Sequence, residues 1–217
     1  MTNLQKRILT AFIILPLSFF FIIKGGWFLF SFLIFVLFAG LHEVNTSFKK
    51  RESILFLSLI LSLSLISIYL LRNGEGAGHI LLYFAIAVCI SSDIGGYVFG
   101  KIFKWKKLIS ISPKKTISGV FGSYFFSVIC LVLFIEYYNF VLNFSLIKEG
   151  YLGGYILAII FSTIAQVGDL IISYFKIMEK IKDTGKILPG HGGIFDRIDG
   201  LMFVTIFAYL INYFYFL

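Results

Sequence analysis

Long apolar runs separated by short polar stretches dominate the chain, and none shows the strict alternation of a half-buried strand. Seven spans follow from the pattern: residues 8–23, 27–44, 54–71, 79–100, 116–136, 151–175 and 200–217. Each reaches or nearly reaches the length a helix needs to cross a hydrocarbon core of about 30 Å. Backbone inside a bilayer must satisfy its own hydrogen bonds, and runs this long and uniformly apolar suit helices rather than barrel strands. The expectation is an all-α, polytopic membrane helical bundle of about seven transmembrane helices, a single domain over residues 1–217. Two spans carry a carboxylate at membrane depth, Asp93 in 79–100 and Asp169 in 151–175.

Composition agrees with the pattern. A chain of 217 residues that is 59% hydrophobic and 14% charged lies well outside the range of soluble domains. The net charge of +8 acquires a meaning once the spans are drawn. With the N-terminus cytoplasmic, only Lys24, Arg72 and Lys148 of the 19 basic residues fall outside, so the charge is mainly topogenic and does not argue for nucleic acid. The C-terminus is then outside. Lys6 and Arg7 before the first run imitate a secretory signal, but no small-residue cleavage site follows Ile23, and Lys24-Gly25-Gly26 reads as a tight hairpin into the next run. Cys89 and Cys130 lie in different spans and read as buried small residues, with no disulfide indicated.

The segment from Ser173 to Asp199 interrupts this oily background. It holds Lys176, Lys180, Lys182, Lys186 and Arg197 beside Glu179, Asp183, Asp196 and Asp199. Asp169, Ser173, Lys176 and Lys180 fall on one helical face, a polar stripe that is either a structural pairing or part of a functional site. The following Gly185 and Pro189-Gly190-His191-Gly192-Gly193 can hardly continue a helix. They form either an ordinary polar loop or a cradle whose amides approach phosphate oxygens, with the next helix starting at about Ile194. Asp196 and Asp199, three residues apart in that helix's first turn, either complement its dipole or hold a divalent cation, to which Asp169 can add a third carboxylate. Oxygen-only ligands favour Mg²⁺ or Mn²⁺ over zinc.

Between residues 101 and 115 the chain carries six lysines and no acid. That loop serves positive-inside signalling and lipid headgroups, or, with Asp93, Ser112, Lys114, Lys115, Thr116 and the glycines at 119 and 122, a polyphosphate. His191 can donate to a phosphate or a leaving group, whereas His42 and His79 sit at span ends. Glu43 either pairs with a loop lysine or borders the site.

Taken together, Ser173, Lys176, Lys182-Asp183, His191-Gly192-Gly193 and Asp196-Arg197-Ile198-Asp199 resemble the C-terminal motif of the phosphatidate cytidylyltransferases, or CDP-diacylglycerol synthases. Gly168-Asp169-Leu170, Asp93 with Gly95 and Tyr97, and Ser112-Pro113-Lys114-Lys115-Thr116 with Gly119 resemble further motifs of that family, so that the likeness spans about residues 91–200. Ile177, Ser118 and Ser123 depart from the family pattern. The resemblance implies transfer of a cytidylyl group from CTP to phosphatidic acid at the cytoplasmic face of the cell (inner) membrane, by a homodimer among membrane lipids. It implies Lys176, Lys182, Asp183, His191 and Arg197 as catalytic residues. Asp93, Ser112, Lys114, Lys115, Thr116, Ser173, Gly192 and Gly193 would bind substrate. Asp169, Asp196 and Asp199 would hold Mg²⁺ or Mn²⁺, with Asp183 a further candidate ligand and a second cation left open.

Two other readings are weaker. Asp196-x-x-Asp199-Gly200 opens like the CDP-alcohol phosphotransferase motif, but an uninterrupted apolar run follows from Leu201. An ion-coupled carrier would also use carboxylates at membrane depth and broken backbone, yet no repeated halves are visible and the polar residues gather on one membrane face.

Overall fold

Seven helices, α1 (Asn3–Lys24), α2 (Gly26–Ser47), α3 (Arg51–Asn73), α4 (Gly78–Phe103), α5 (Ile117–Leu142), α6 (Tyr151–Met178) and α7 (Phe195–Phe216), account for nearly all of the described chain. The computed structural model describes residues 3–74, 76–107, 115–142, 151–185, 187 and 192–216. No strand occurs among the described residues, and an isolated antiparallel bridge pairs Lys107 with Thr116. Each expected span coincides with a helix. The helices outrun the apolar runs because a helix continues into the polar boundary where hydropathy already fails, most plainly at α7, which starts at Phe195 rather than at residue 200.

Six of the seven, α2 to α7, are long and apolar enough to cross a membrane, and the apolar stretch Phe12–Lys24 of α1 is shorter. Their outer faces are studded with large apolar side chains such as Phe12, Trp27, Phe38, Leu133 and Leu152. Water would penalise such a surface and lipid does not, which makes the chain a multi-pass membrane protein.

Inside, two apolar clusters are joined by α7. Phe195 and Met202 pack with Leu29, Val44, Leu57, Leu61 and Ile172, while Val204 and Ala208 pack with Leu82, Ala85, Val88, Ala158 and Phe161. Small residues let some helices touch backbone to backbone, the usual route to close packing in lipid, where apolar burial gives little drive. A methyl on Gly95 would strike the Gly122 carbonyl oxygen, and one on Gly119 would lie 3.0 Å from the Gly96 carbonyl oxygen, so α4 and α5 are locked together along glycines. Gly200 of α7 faces the Ala165 backbone of α6 in the same way, while Gly168 of α6 makes room for the Phe203 ring and, behind it, the Asp199 carbonyl of α7.

The α1–α2 connection is the expected tight turn, with Gly25 and Gly26 at φ +66° and +54°. Arg72 and Asn73 at the end of α3 fasten it: the Arg72 guanidinium donates to the Ile22 and Ile23 carbonyls, and Asn73 accepts the Gly26 amide. The opposite end of the bundle holds the later turns of α2, α4 and α6 and the first turns of α3, α5 and α7, and the polar residues collect there.

Candidate active site

At that end a cleft of about 340 Å³ opens between α4, α5 and α6. Its walls bring together Asp93 from α4, Lys115 and Thr116 from the approach to α5, and Asp169, Ser173 and Lys176 from α6. The α6 residues reach it because their spacing stacks them on one face, as the stripe in the sequence indicates. Asp93 reaches it because Gly95 and Gly96 draw α4 against α5.

Lys115 and Asp169 form an ion pair at 2.6 Å, and the same ammonium donates to the Gln166 carbonyl at 3.0 Å. Thr116 caps α5, its hydroxyl accepting the Gly119 amide at 3.1 Å. Lys115 is therefore fixed at its base by a helix start and at its tip by α6. Lys106 accepts the Ile117 amide at 3.0 Å, which closes the base of the lysine-rich loop. Ser112 and Lys114 lie outside the described residues. Ser173 donates to Asp169 at the long distance of 3.5 Å. Behind these groups Ser92 and Ser162 share a hydrogen bond of 2.8 Å, and Ser123 donates to the Ser92 carbonyl. Ser123, a departure from the family pattern, thus seals the α4–α5 seam.

Asp199, which accepts the Gly200 amide at 2.9 Å, stands beside Asp169, and Asp93 is close enough for its charge to act on both. The close approach of Gly168 and Gly200 between α6 and α7 is what places those two carboxylates side by side. Asp196 is placed otherwise. It pairs with Lys176 at 2.8 Å and accepts the Thr184 amide at 2.8 Å and the Gly193 amide at 3.2 Å. The two aspartates therefore have separate partners, and with α7 starting at Phe195 only Asp196 lies in its first turn. Among the described residues no group of three or more His, Cys, Asp or Glu side chains could hold a metal ion.

The glycine loop also differs from a free phosphate cradle. Glu43, on the last turns of α2 and only 1% exposed, accepts the amides of Ile194 at 2.7 Å and Phe195 at 3.2 Å as well as the Thr184 hydroxyl. A methyl on Gly193 would collide with the Glu43 carboxylate and the Thr184 hydroxyl, and one on Gly185 would meet the Glu43 side chain at 2.6 Å. The described amides at the start of α7 are thus directed at the chain's own carboxylates, and these two glycines make room for Glu43. Gly192 needs glycine for another reason, its φ of +88°. Of the two sequence readings of Glu43, bordering the site is the closer: among the described residues no lysine pairs with it, and its role as a cap on α7 is one the sequence does not show. The available signal was a carboxylate at the end of an apolar run with no lysine or arginine within a helical turn, which must find donors elsewhere.

The polar stripe ends sooner than its spacing suggests. α6 closes after Met178 in a Schellman turn, with Lys180 left-handed at φ +57°, the Ile181 amide bonded to the Lys176 carbonyl and the Lys180 amide to the Ile177 carbonyl. Lys180 therefore leaves the face shared by Asp169, Ser173 and Lys176. Lys182, Asp183 and Arg197 are exposed around the loop and the α7 start, and none of them lines the cleft. His191 lies outside the described residues.

Comparison with known proteins agrees with the motif resemblance. The model of the Cytidylyltransferase family matches residues 45–215. A Rickettsia conorii protein named phosphatidate cytidylyltransferase is 32% identical over 217 residues, covering 97% of this chain and 92% of that relative. Relatives of the same name from Staphylococcus haemolyticus and Staphylococcus aureus are 41% and 42% identical over 127 and 133 residues. This chain spans about half the length of those two, 46% and 48%.

Proposed function

The chain belongs to the cytidylyltransferase family, and on that premise we propose that it transfers a cytidylyl group from CTP to phosphatidic acid, giving CDP-diacylglycerol and pyrophosphate. The observation that carries this reading is the cleft: ammonium and carboxylate groups from α4, α6 and the approach to α5 converge at one end of a bundle whose outer surface is apolar. A lipid phosphate and a nucleoside triphosphate can meet there.

In this reaction an oxygen of the lipid phosphate attacks the α-phosphorus of CTP. The new P–O bond forms as the bond from the α-phosphorus to the oxygen bridging the β-phosphate breaks, and pyrophosphate leaves with that electron pair. Both reactants are anions, so charge neutralisation and in-line placement matter more than proton removal. Lys115 and Lys176 line the cleft and bring positive charge to it, each steadied by an aspartate. Thr116 and Ser173 offer hydroxyls on the same walls.

A divalent cation fits the carboxylate pair. Two carboxylates in contact need a proton or a cation between them, and Mg²⁺ or Mn²⁺ is commonly content with one or two protein carboxylates beside phosphate oxygens and water. Asp169 and Asp199 would hold it, and bound there it would neutralise charge on the phosphates. Asp196, occupied by Lys176, Thr184 and Gly193, would support the site from outside.

The asymmetry of lysine and arginine supports a cytoplasmic N-terminus in the cell (inner) membrane with the cleft facing the cytoplasm, where CTP is available. The homodimer implied by the resemblance belongs to the same proposal. The test is detergent-solubilised protein incubated with α-labelled CTP, phosphatidic acid and Mg²⁺. Label should enter the lipid phase in step with pyrophosphate release. A folded, CTP-binding preparation that labels no lipid would exclude phosphatidic acid as the acceptor.

A further inference from the structure

We propose that Glu43 is a positioning residue for Lys176, acting through Thr184 and Asp196. The chain of contacts is continuous and crosses three elements. Glu43 of α2 holds the Thr184 hydroxyl; the Thr184 amide donates to Asp196 at 2.8 Å; Asp196 pairs with Lys176 at 2.8 Å; and Lys176 lines the cleft. The Thr184 hydroxyl lies between two carboxylates, with Asp196 at 3.1 Å, and has one proton to give. Both carboxylates are within its reach, and the Thr184 amide donates to Asp196 whichever of them takes that proton.

Glu43 has a second grip on the same carboxylate. By accepting the Ile194 and Phe195 amides it sets where α7 begins, and Asp196 is the next residue. Gly185 and Gly193 pack on its side chain with no space for a Cβ, so the chain closes on this carboxylate at both of those positions. Glu43 does not line the cleft. Its influence on chemistry passes through the placement of Lys176, whose side chain is 17% exposed and whose ammonium must meet an anionic substrate in register.

The inference rests on the cytidylyltransferase reading only for its turnover arm, and the experiment keeps the two apart. E43Q and T184V would be purified beside the wild type. Lys176 would be followed by its modification with a water-soluble acetylating reagent, quantified by peptide mass spectrometry against the exposed Lys49. Both variants should raise Lys176 modification several-fold while the thermal midpoint stays within a few degrees, and should lower cytidylyl transfer by about 10- to 100-fold, the scale of a small misplacement of a reacting group. Unchanged Lys176 reactivity in a folded variant would overturn the proposal, and T184V decides the matter should E43Q fail to fold. Raised Lys176 reactivity with no lipid product from any protein, wild type included, would retire the cytidylyltransferase reading and leave the positioning role standing.

Discussion

The backbone amide of Lys50, at the start of α3, donates to the carboxylate of Glu179 at 3.0 Å, a contact across 129 residues. The Lys49 amide and the Ser53 hydroxyl donate to the same carboxylate at 3.1 and 3.0 Å. Glu179 thus does at α3 what Glu43 does at α7: a carboxylate from just beyond or near the end of one helix satisfies the orphan amides that begin another. Partial desolvation works against ionisation of Glu179, but donation from the Lys50 and Lys49 amides and from Ser53 outweighs it and holds the group below the ordinary glutamate value of 4.5.

A pH dependence follows, with its sign fixed by that lowering. The contribution of Glu179 is complete above pH 4.5 and is lost as pH falls through the depressed folded value. E179Q should therefore lower the thermal midpoint at pH 7, and the gap to wild type should close as the pH is taken towards 3. Midpoints of both proteins across that range check this, and a gap that widens on acidification would contradict the assignment.

Removing the anion beside Lys176 should affect activity and stability together. The pair is mostly buried, with the side chains 17% and 10% exposed, so D196N leaves an ammonium short of its partner and two backbone amides facing a weaker acceptor. A loss of about 1–3 kcal/mol is expected, together with a fall in turnover of about 100-fold. Thermal denaturation in detergent and the labelled-CTP assay measure the two effects.

Metal dependence should separate the aspartates. Chelation with EDTA should abolish transfer, and D169N or D199N should raise the Mg²⁺ concentration for half-maximal rate. D196N should lower the rate with little change in that concentration. Magnesium titration of the three variants distinguishes them, and an equal shift in all three would restore Asp196 to the metal site.

Two glycine substitutions should behave oppositely. G95A forces a methyl into the Gly122 carbonyl and must part α4 from α5, at a cost of about 1–3 kcal/mol and with loss of the cleft geometry. At Gly153, in α6, a methyl meets nothing within 4 Å, so G153A should be neutral or stabilising by about 0.5–1 kcal/mol. Thermal midpoints and transfer rates of the two variants give the comparison.

The path from sequence to structure was short wherever a single local rule applied. Apolar run length was enough for the helices, and helical spacing was enough to line up Asp169, Ser173 and Lys176 on α6. Spacing failed at Lys180, because a lysine in the left-handed cap of a helix has left the helical face although its number still fits the period. It failed again for Asp196 and Asp199: their separation says that they lie near each other on α7, and says nothing of the lysine, threonine and glycine that claim one or of the aspartate that meets the other.

By itself, then, the sequence determined that this chain is a bundle of membrane helices of the cytidylyltransferase family with its polar chemistry gathered in residues 91–200, because hydropathy, periodicity and motif are local properties of the chain. Only the tertiary structure decided which carboxylate answers which cation and that Glu43 and Glu179 cap distant helices. Those choices depend on contacts across as many as 152 residues, where a buried acid takes the nearest donors that packing brings to it and nothing in its own neighbourhood names them.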